Sequence, residues 1–267
     1  MDFSKVKLVV TDMDGTLLND QGIVSSKFFN QFPKLKALNV HFVAASGRQF
    51  QSIANKLNPI KDQISIIAEN GGIMQCNNQI DVLLKLSRQN VLKSVETLRT
   101  VENCYTVLCG AKSAYIETKD AFFIDKFKEY YNAYKIVDDL TTIEDDDILK
   151  IAVYHAESSE KFIFPHTKHL ANELELTVSS QNWLDISHPE ANKGYALKKL
   201  QKKMGVTKEE TLVFGDYNND IEMLQLADFS YAMENAHPNV KQTARFVTKS
   251  NNEDGVEVIL DELIYQK

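Results

Sequence analysis

The sequence predicts an α/β fold: a Rossmann-like parallel sheet core domain with an inserted α+β cap domain. Three observations predict it. Short apolar runs alternate with helix-periodic segments toward both ends of the chain. The texture changes between about Leu83 and Ser187, where strand candidates become shorter and more polar. Finally, four apolar runs each end in polar residues, as parallel strands do when they deliver groups to one sheet edge.

The elements follow in order. Lys7 to Thr11 is a strand candidate. Ser25 and Ser26 can cap a helix through Phe28, Phe32, Leu35 and Leu38, whose spacing marks one buried face. Val40 to Ala45 is a second strand, Phe50 to Leu57 a helix and Ile64 to Ala68 a third strand. In the middle, Tyr105 to Cys109, Ala114 to Glu117, Leu149 to Tyr154, Thr177 to Ser180 and Trp183 to Ile186 read as antiparallel strands. Helices over Gln89 to Val101 and Ala121 to Tyr131 separate them, and Pro165 breaks a third helical stretch after Ser158. A helix then runs from Lys193 to Met204 and stops at Gly205. Strands over Thr211 to Phe214, Phe229 to Met233 and Phe246 to Thr248 lead to a last helix from Gly255 to Tyr265. The expected organisation is residues 1–82 and 188–267 as the core, with 83–187 inserted between its third and fourth strands.

Composition narrows the function. The 267 residues carry 43% hydrophobic and 25% charged side chains, ordinary for a globular protein. The net charge of -7 argues against general binding to nucleic acid or an anionic membrane, both of which need a basic field. It leaves room for a small anionic substrate, because local lysines and a metal can invert the field inside one cleft. Cys76, Cys104 and Cys109 form no C-x-x-C pair and read as thiols in a reducing compartment. No signal peptide or membrane span is expected, and nothing suggests an obligate protein partner. A cytoplasmic protein is the expectation.

The polar strand ends carry the chemistry. Asp12 ends the first run, Ser46 the second, Glu69 and Asn70 the third, and Gly215 and Asp216 the fourth. In Asp12-Met13-Asp14-Gly15-Thr16 two aspartates two apart share a side if the chain stays extended, and Gly15 lets the backbone turn. A divalent cation would relieve their repulsion, and hard oxygen ligands favour magnesium. A bare D-x-D reads first as an acidic turn in which Asp14 caps the next helix; the strand before it and the Gly-Thr-Leu after it favour a site. Ser46-Gly47-Arg48 is either a strand-to-helix turn or an anion site made of a hydroxyl and backbone N–H groups. Lys193 is either one solvated lysine among Lys198, Lys199, Lys202 and Lys203 or an ammonium for a phosphoryl oxygen. The segment from Gly215 to Asp220 can be a tight turn and helix cap, yet Asp216 falls where a metal held by Asp12 would need another carboxylate.

Together these motifs resemble the haloacid dehalogenase-like phosphatases: Asp12 to Thr16, Ser46-Gly47, Lys193, and Gly215-Asp216 with Asn219-Asp220 occur in that family's order. The large insertion after Glu69-Asn70-Gly71 resembles the cap of the Cof-type branch. Cys109-Gly110 with Ser113 to Tyr115, and Ala232 to Ala236, are similar to its bacterial sugar phosphatases. The resemblance implies that Asp12 is the nucleophile and Asp14 the general acid and base. It implies magnesium on Asp12, Asp216 and the backbone carbonyl of Asp14. Ser46, Gly47, Lys193 and Asn219 would bind the phosphoryl group, with Asp220 and Thr16 supporting these contacts from behind. The implied activity is hydrolysis of small phosphorylated metabolites, sugar phosphates first, through an aspartyl-phosphate. The alternatives are a sugar phosphomutase or a phosphatase for a phosphorylated cofactor such as flavin mononucleotide or pyridoxal phosphate. A phospho-acceptor receiver domain shares a strand-end aspartate but lacks the second aspartate and the insertion.

Overall fold

A computed structural model describes residues 2–267. The described residues form two compact units, one of residues 2–81 with 192–267 and one of residues 82–191.

The first unit begins with strand β1 (Leu8–Asp12), helix α1 (Ser26–Ala37), β2 (His41–Ala45), α2 (Phe50–Lys56) and β3 (Ser65–Ala68). Ser25 caps α1, its side chain accepting a hydrogen bond from the Phe28 backbone, as the sequence suggests. A hairpin of β4 (Ile73–Cys76) and β5 (Gln79–Val82) then extends the sheet. The sequence does not announce this hairpin, because β4 is buried without alternation and β5 is mostly exposed, so neither carries a half-buried period. The second unit departs at the end of this hairpin, at residue 82.

The second unit contains α3 (Arg88–Leu98), β6 (Cys104–Gly110), β7 (Ala114–Ile116), α4 (Ala121–Phe127), β8 (Tyr134–Ile136) and β9 (Ile148–His155). It continues with α5 (Ser159–Phe162), α6 (Phe164–Thr167), β10 (Glu175–Val178) and β11 (Trp183–Ser187). The six strands form one sheet in the order β10-β11-β9-β6-β7-β8, antiparallel except for the β7–β8 pair. One side holds Val95, Leu98, Ile151, Val153 and Leu184; the other holds Val107, Phe123, Phe127 and Tyr131. Trp183 packs against Tyr154 and Tyr130, so it serves an aromatic core. The break at Pro165 is real: the helical stretch splits into α5 and α6 around Ile163. Helix α4 ends at Phe127, four residues short of the expected Tyr131.

The chain returns to the first unit through α7 (Lys193–Met204), β12 (Thr211–Gly215), α8 (Ile221–Leu224), β13 (Phe229–Ala232), α9 (Pro238–Thr243), β14 (Phe246–Val247) and α10 (Gly255–Gln266). Gly205 ends α7 with φ 65°, a conformation that costs glycine little. The eight-stranded sheet has the order β14-β13-β12-β1-β2-β3-β4-β5, with every pair from β14 to β3 parallel. From β1 the chain moves to β2 on one side and later returns to β12 on the other. The strand order thus reverses beside β1, where open α/β sheets leave a crevice beyond their carboxyl ends.

Apolar packing fixes these strands. Leu8, Val9, Val10, Leu212, Val213 and Phe214 are fully buried. Phe42 of β2 lies 4.8 Å from the Phe28 ring and meets Phe32 edge-on. Removing so large a buried ring leaves a cavity, so we expect Phe42→Ala to cost about 3–5 kcal/mol. A clear fall in the urea midpoint checks this, and an unchanged midpoint would show that the α1–β2 contact does not hold the sheet.

Candidate active site at the carboxyl edge of the sheet

The central strands bring their terminal residues together. Asp12 closes β1, and Asp216 follows β12 directly. β1 and β12 are adjacent and parallel, with Thr11 opposite Phe214. Their carboxyl ends therefore meet although two hundred residues separate them in the chain. Asp220 joins from the short helical turn Asn218–Asp220. One carboxylate oxygen from each of Asp12, Asp216 and Asp220 lies within 4.8 Å of the others.

Lys193 supplies the single ammonium inside this group. It is the first residue of α7, and Asn192 caps that helix by accepting from the Tyr195 backbone at 2.7 Å. The lysine side chain is fully buried, with Nζ 2.5 Å from Asp12 Oδ1 and 2.6 Å from Asp220 Oδ1. Asp220 Oδ2 accepts from the backbone N–H groups of Asp216, at 2.9 Å, and Tyr217, at 3.1 Å. Both Asp220 oxygens are thereby engaged, which suits a residue that supports Lys193 and the turn rather than a metal ligand.

Electrostatics follow from burial. Burial alone would depress the Lys193 pKa, but Asp12 and Asp220 outweigh it and hold the ammonium above its ordinary value. Burial pushes the Asp12 carboxyl well up; Lys193 opposes this, while Asp220, Asp216 and Asp14 add to it. Burial and the neighbouring Asp220 push Asp216 up to about 6. Three converging carboxylates with one ammonium leave an excess of buried negative charge. A hard divalent cation is the counter-charge this all-oxygen donor set fits.

Gly15 and Thr16 shape the Asp216 side of the site. Gly15 has φ 76°, and a Cβ there would lie 2.3 Å from Asp216 Oδ2, so only glycine fits. Thr16 Oγ1 donates to Asp216 Oδ1 at 2.9 Å.

The sequence expectation that the two aspartates share a side is conditional on an extended chain, and the chain turns immediately after Asp12. The backbone N–H of Leu17 bonds to the Asp12 carbonyl and that of Leu18 to the Met13 carbonyl. The Asp14 carboxylate consequently faces Arg48, whose Nε and Nη2 donate to it at 2.7 and 2.6 Å. The sequence alone assigns Arg48 no role; its place immediately after Ser46-Gly47 is the available signal.

The end of β2 supplies a second polar group. Ser46 is buried, and its Oγ accepts from the Arg48 backbone at 3.1 Å. Gly47 runs against Asn70: a Cβ at Gly47 would lie 3.0 Å from Asn70 Oδ1. Asn219 Nδ2 donates to that same Asn70 oxygen at 3.2 Å. Asn70 thus ties Gly47 to Asn219, a link the sequence reading named only as a strand end. Glu69 and Asn70 both have φ 50°, and such left-handed non-glycine residues cost of order 1–3 kcal/mol each. Their N–H groups bond to the carbonyls of Arg48 and Ser46, so the strained turn holds the end of β2.

The fold and this cluster define a class: a doubly wound α/β protein with an acidic centre at its switch point and a large α+β insertion. A model of the haloacid dehalogenase-like hydrolases matches residues 9–260, and the chain belongs to that family. It is 32% identical over 262 residues to an Escherichia coli protein named 5-amino-6-(5-phospho-D-ribitylamino)uracil phosphatase YbjI, covering 97% of this chain and 96% of that one. A Bacillus subtilis protein of the same activity name, YcsE, is 29% identical over 251 residues, with 94% and 93% coverage. The crystal structure of SMU.1108c from Streptococcus mutans superposes with a TM-score of 0.87 at 27% identity, covering 97% of this chain and 99% of that one. Among the described residues, no helix is long and apolar enough to cross a membrane.

The raised Asp216 pKa has a measurable consequence. Below pH about 6 its carboxyl is increasingly protonated, and a proton must leave before a cation can bind. We expect magnesium affinity, measured by isothermal titration, to fall as pH drops from 7.5 to 5. An affinity flat over that range would show that Asp216 does not hold the cation.

Proposed function

We propose that the chain is a magnesium-dependent phosphatase that hydrolyses small phosphorylated metabolites through an aspartyl-phosphate on Asp12. The observation that carries this reading is the buried convergence of Asp12, Asp216 and Asp220 around Lys193 at the sheet switch point. Family membership and the phosphatase names of the relatives support it.

The residues divide the work. Asp12 attacks phosphorus in line, and the bond to the leaving oxygen breaks as its Oδ–P bond forms. Asp14 gives its proton to that oxygen, so the alcohol departs neutral. Water then attacks the phosphorus of the acyl phosphate while Asp14 takes its proton. Phosphate leaves, and the Asp12 carboxylate is restored. Lys193 holds Asp12 in place and offers a point charge to a phosphoryl oxygen, and Ser46, the Gly47 N–H and Asn219 bind the others. Asp12, Asp216 and the Asp14 carbonyl would hold magnesium, which when bound offsets the charge on carboxylates and phosphate. Thr16 and Asp220 fix Asp216 and Lys193 from behind.

The substrate we propose carries its phosphate on a polyhydroxylated chain, such as a sugar or sugar alcohol. The core residues are committed to phosphate and metal, so choice of leaving group falls to the insertion of residues 83–187. A phosphoribityl compound is the second reading, favoured by the activity named for the YbjI and YcsE relatives. It shares the polyol phosphate and adds a ring, as flavin mononucleotide also does.

Two results check this reading. Phosphate release from a panel of hexose phosphates, pentose phosphates and flavin mononucleotide should require magnesium and stop on chelation. Full turnover in metal-free buffer would contradict it, and recovery of an isomerised sugar phosphate instead of free phosphate would indicate a mutase. Asp14→Asn should lower kcat on sugar phosphates by about 10²–10⁴-fold, and much less on aryl phosphates whose leaving group needs no proton. Equal losses would remove Asp14 from the role of acid.

A further inference from the structure

We infer that Arg48 is the positioning residue for Asp14, holding its carboxylate in the one orientation from which it serves turnover. This inference rests on the reading of Asp14 as the acid and base of the reaction.

The geometry is a planar fork on a carboxylate. Arg48 Nε meets Asp14 Oδ2 at 2.7 Å and Nη2 meets Oδ1 at 2.6 Å. Two parallel charge-assisted bonds set both the direction and the plane of the carboxylate, which one point charge cannot do. The exposures are unequal: the Asp14 side chain is 48% exposed and that of Arg48 only 6%. A half-exposed aspartate on a turn has several staggered side-chain states open to it. Here its order comes from the buried partner.

Arg48 is itself anchored. Its N–H donates to Ser46 Oγ at 3.1 Å, and its carbonyl accepts from the Glu69 N–H at 3.1 Å. Glu69 stands in the strained left-handed turn that closes β3. Three strand ends therefore fix one another: β3 holds Arg48, Arg48 holds Asp14, and Asp14 lies two residues beyond the nucleophile that closes β1. The side chain that must address the leaving oxygen is oriented by a neighbouring strand rather than by its own turn.

The test is a double-mutant cycle read on two substrates. Arg48→Met should lower kcat on a sugar phosphate by about 10–100-fold, the scale of a misplacement near 1 Å, with KM within about threefold. On an aryl phosphate the loss should be at least tenfold smaller. In an Asp14→Asn background Arg48→Met should cost less than about threefold more, because residues acting as one unit are not additive. Arg48→Lys keeps the charge without the fork and should fall between wild type and Arg48→Met; it carries the same comparison if Arg48→Met fails to fold. Equal losses on both substrates, or the same loss with and without the Asp14 carboxylate, would overturn the inference and place Arg48 on the phosphate or in the fold. If the wild-type protein releases no phosphate from either substrate, the phosphatase reading fails instead.

Discussion

The site depends on one buried ammonium. Lys193 Nζ sits between Asp12 and Asp220 with no exposure of its side chain. Burying a charge is expensive unless it is paired and hydrogen-bonded. Here the lysine makes two ion pairs, and Asp220 is satisfied in turn by two backbone N–H groups. The arrangement links α7 to β1 and to the turn after β12, so helix placement and nucleophile placement are one constraint. It also leaves Asp12 and Asp216 with more negative charge than one lysine can balance, which is why the centre suits a cation.

The parallel sheet makes this constraint possible. Its order reverses beside β1, so Asp12 and Asp216 arrive on neighbouring strands from distant parts of the chain. Close approach of backbone to carboxylate completes the packing: Gly15 lies against Asp216, and at Gly215 a Cβ would meet the Asp220 side chain at 2.6 Å. These glycines leave room for carboxylates that larger residues would displace.

Much of this was legible in the sequence because strand ends and helix starts have local signatures. The apolar run before Asp12, the serine cap before Phe28, and the Lys193 to Gly205 helix follow from spacing and capping alone. The β4–β5 hairpin was not legible, since one strand is buried on both faces and the other is mostly exposed. Strand β8 was missed because Tyr134–Ile136 is too short to show a period. Within the site, residue identities were legible and pairings were not. Nothing in Asp12-Met13-Asp14 says that the chain turns at once and sends Asp14 to Arg48, because that partner lies 34 residues away on another strand end. Asn70 was hidden for the same reason: its value lies in touching Asn219 and crowding Gly47, both long-range contacts.

The central claim is that Asp12 becomes phosphorylated during turnover. Rapid acid quench during steady-state hydrolysis, borohydride reduction of the acyl phosphate and peptide mass spectrometry test it directly. The account predicts the reduced side chain at position 12 alone, only when substrate and magnesium are both present. Steady phosphate release with an unmodified Asp12, or with the label on another carboxylate, would contradict it.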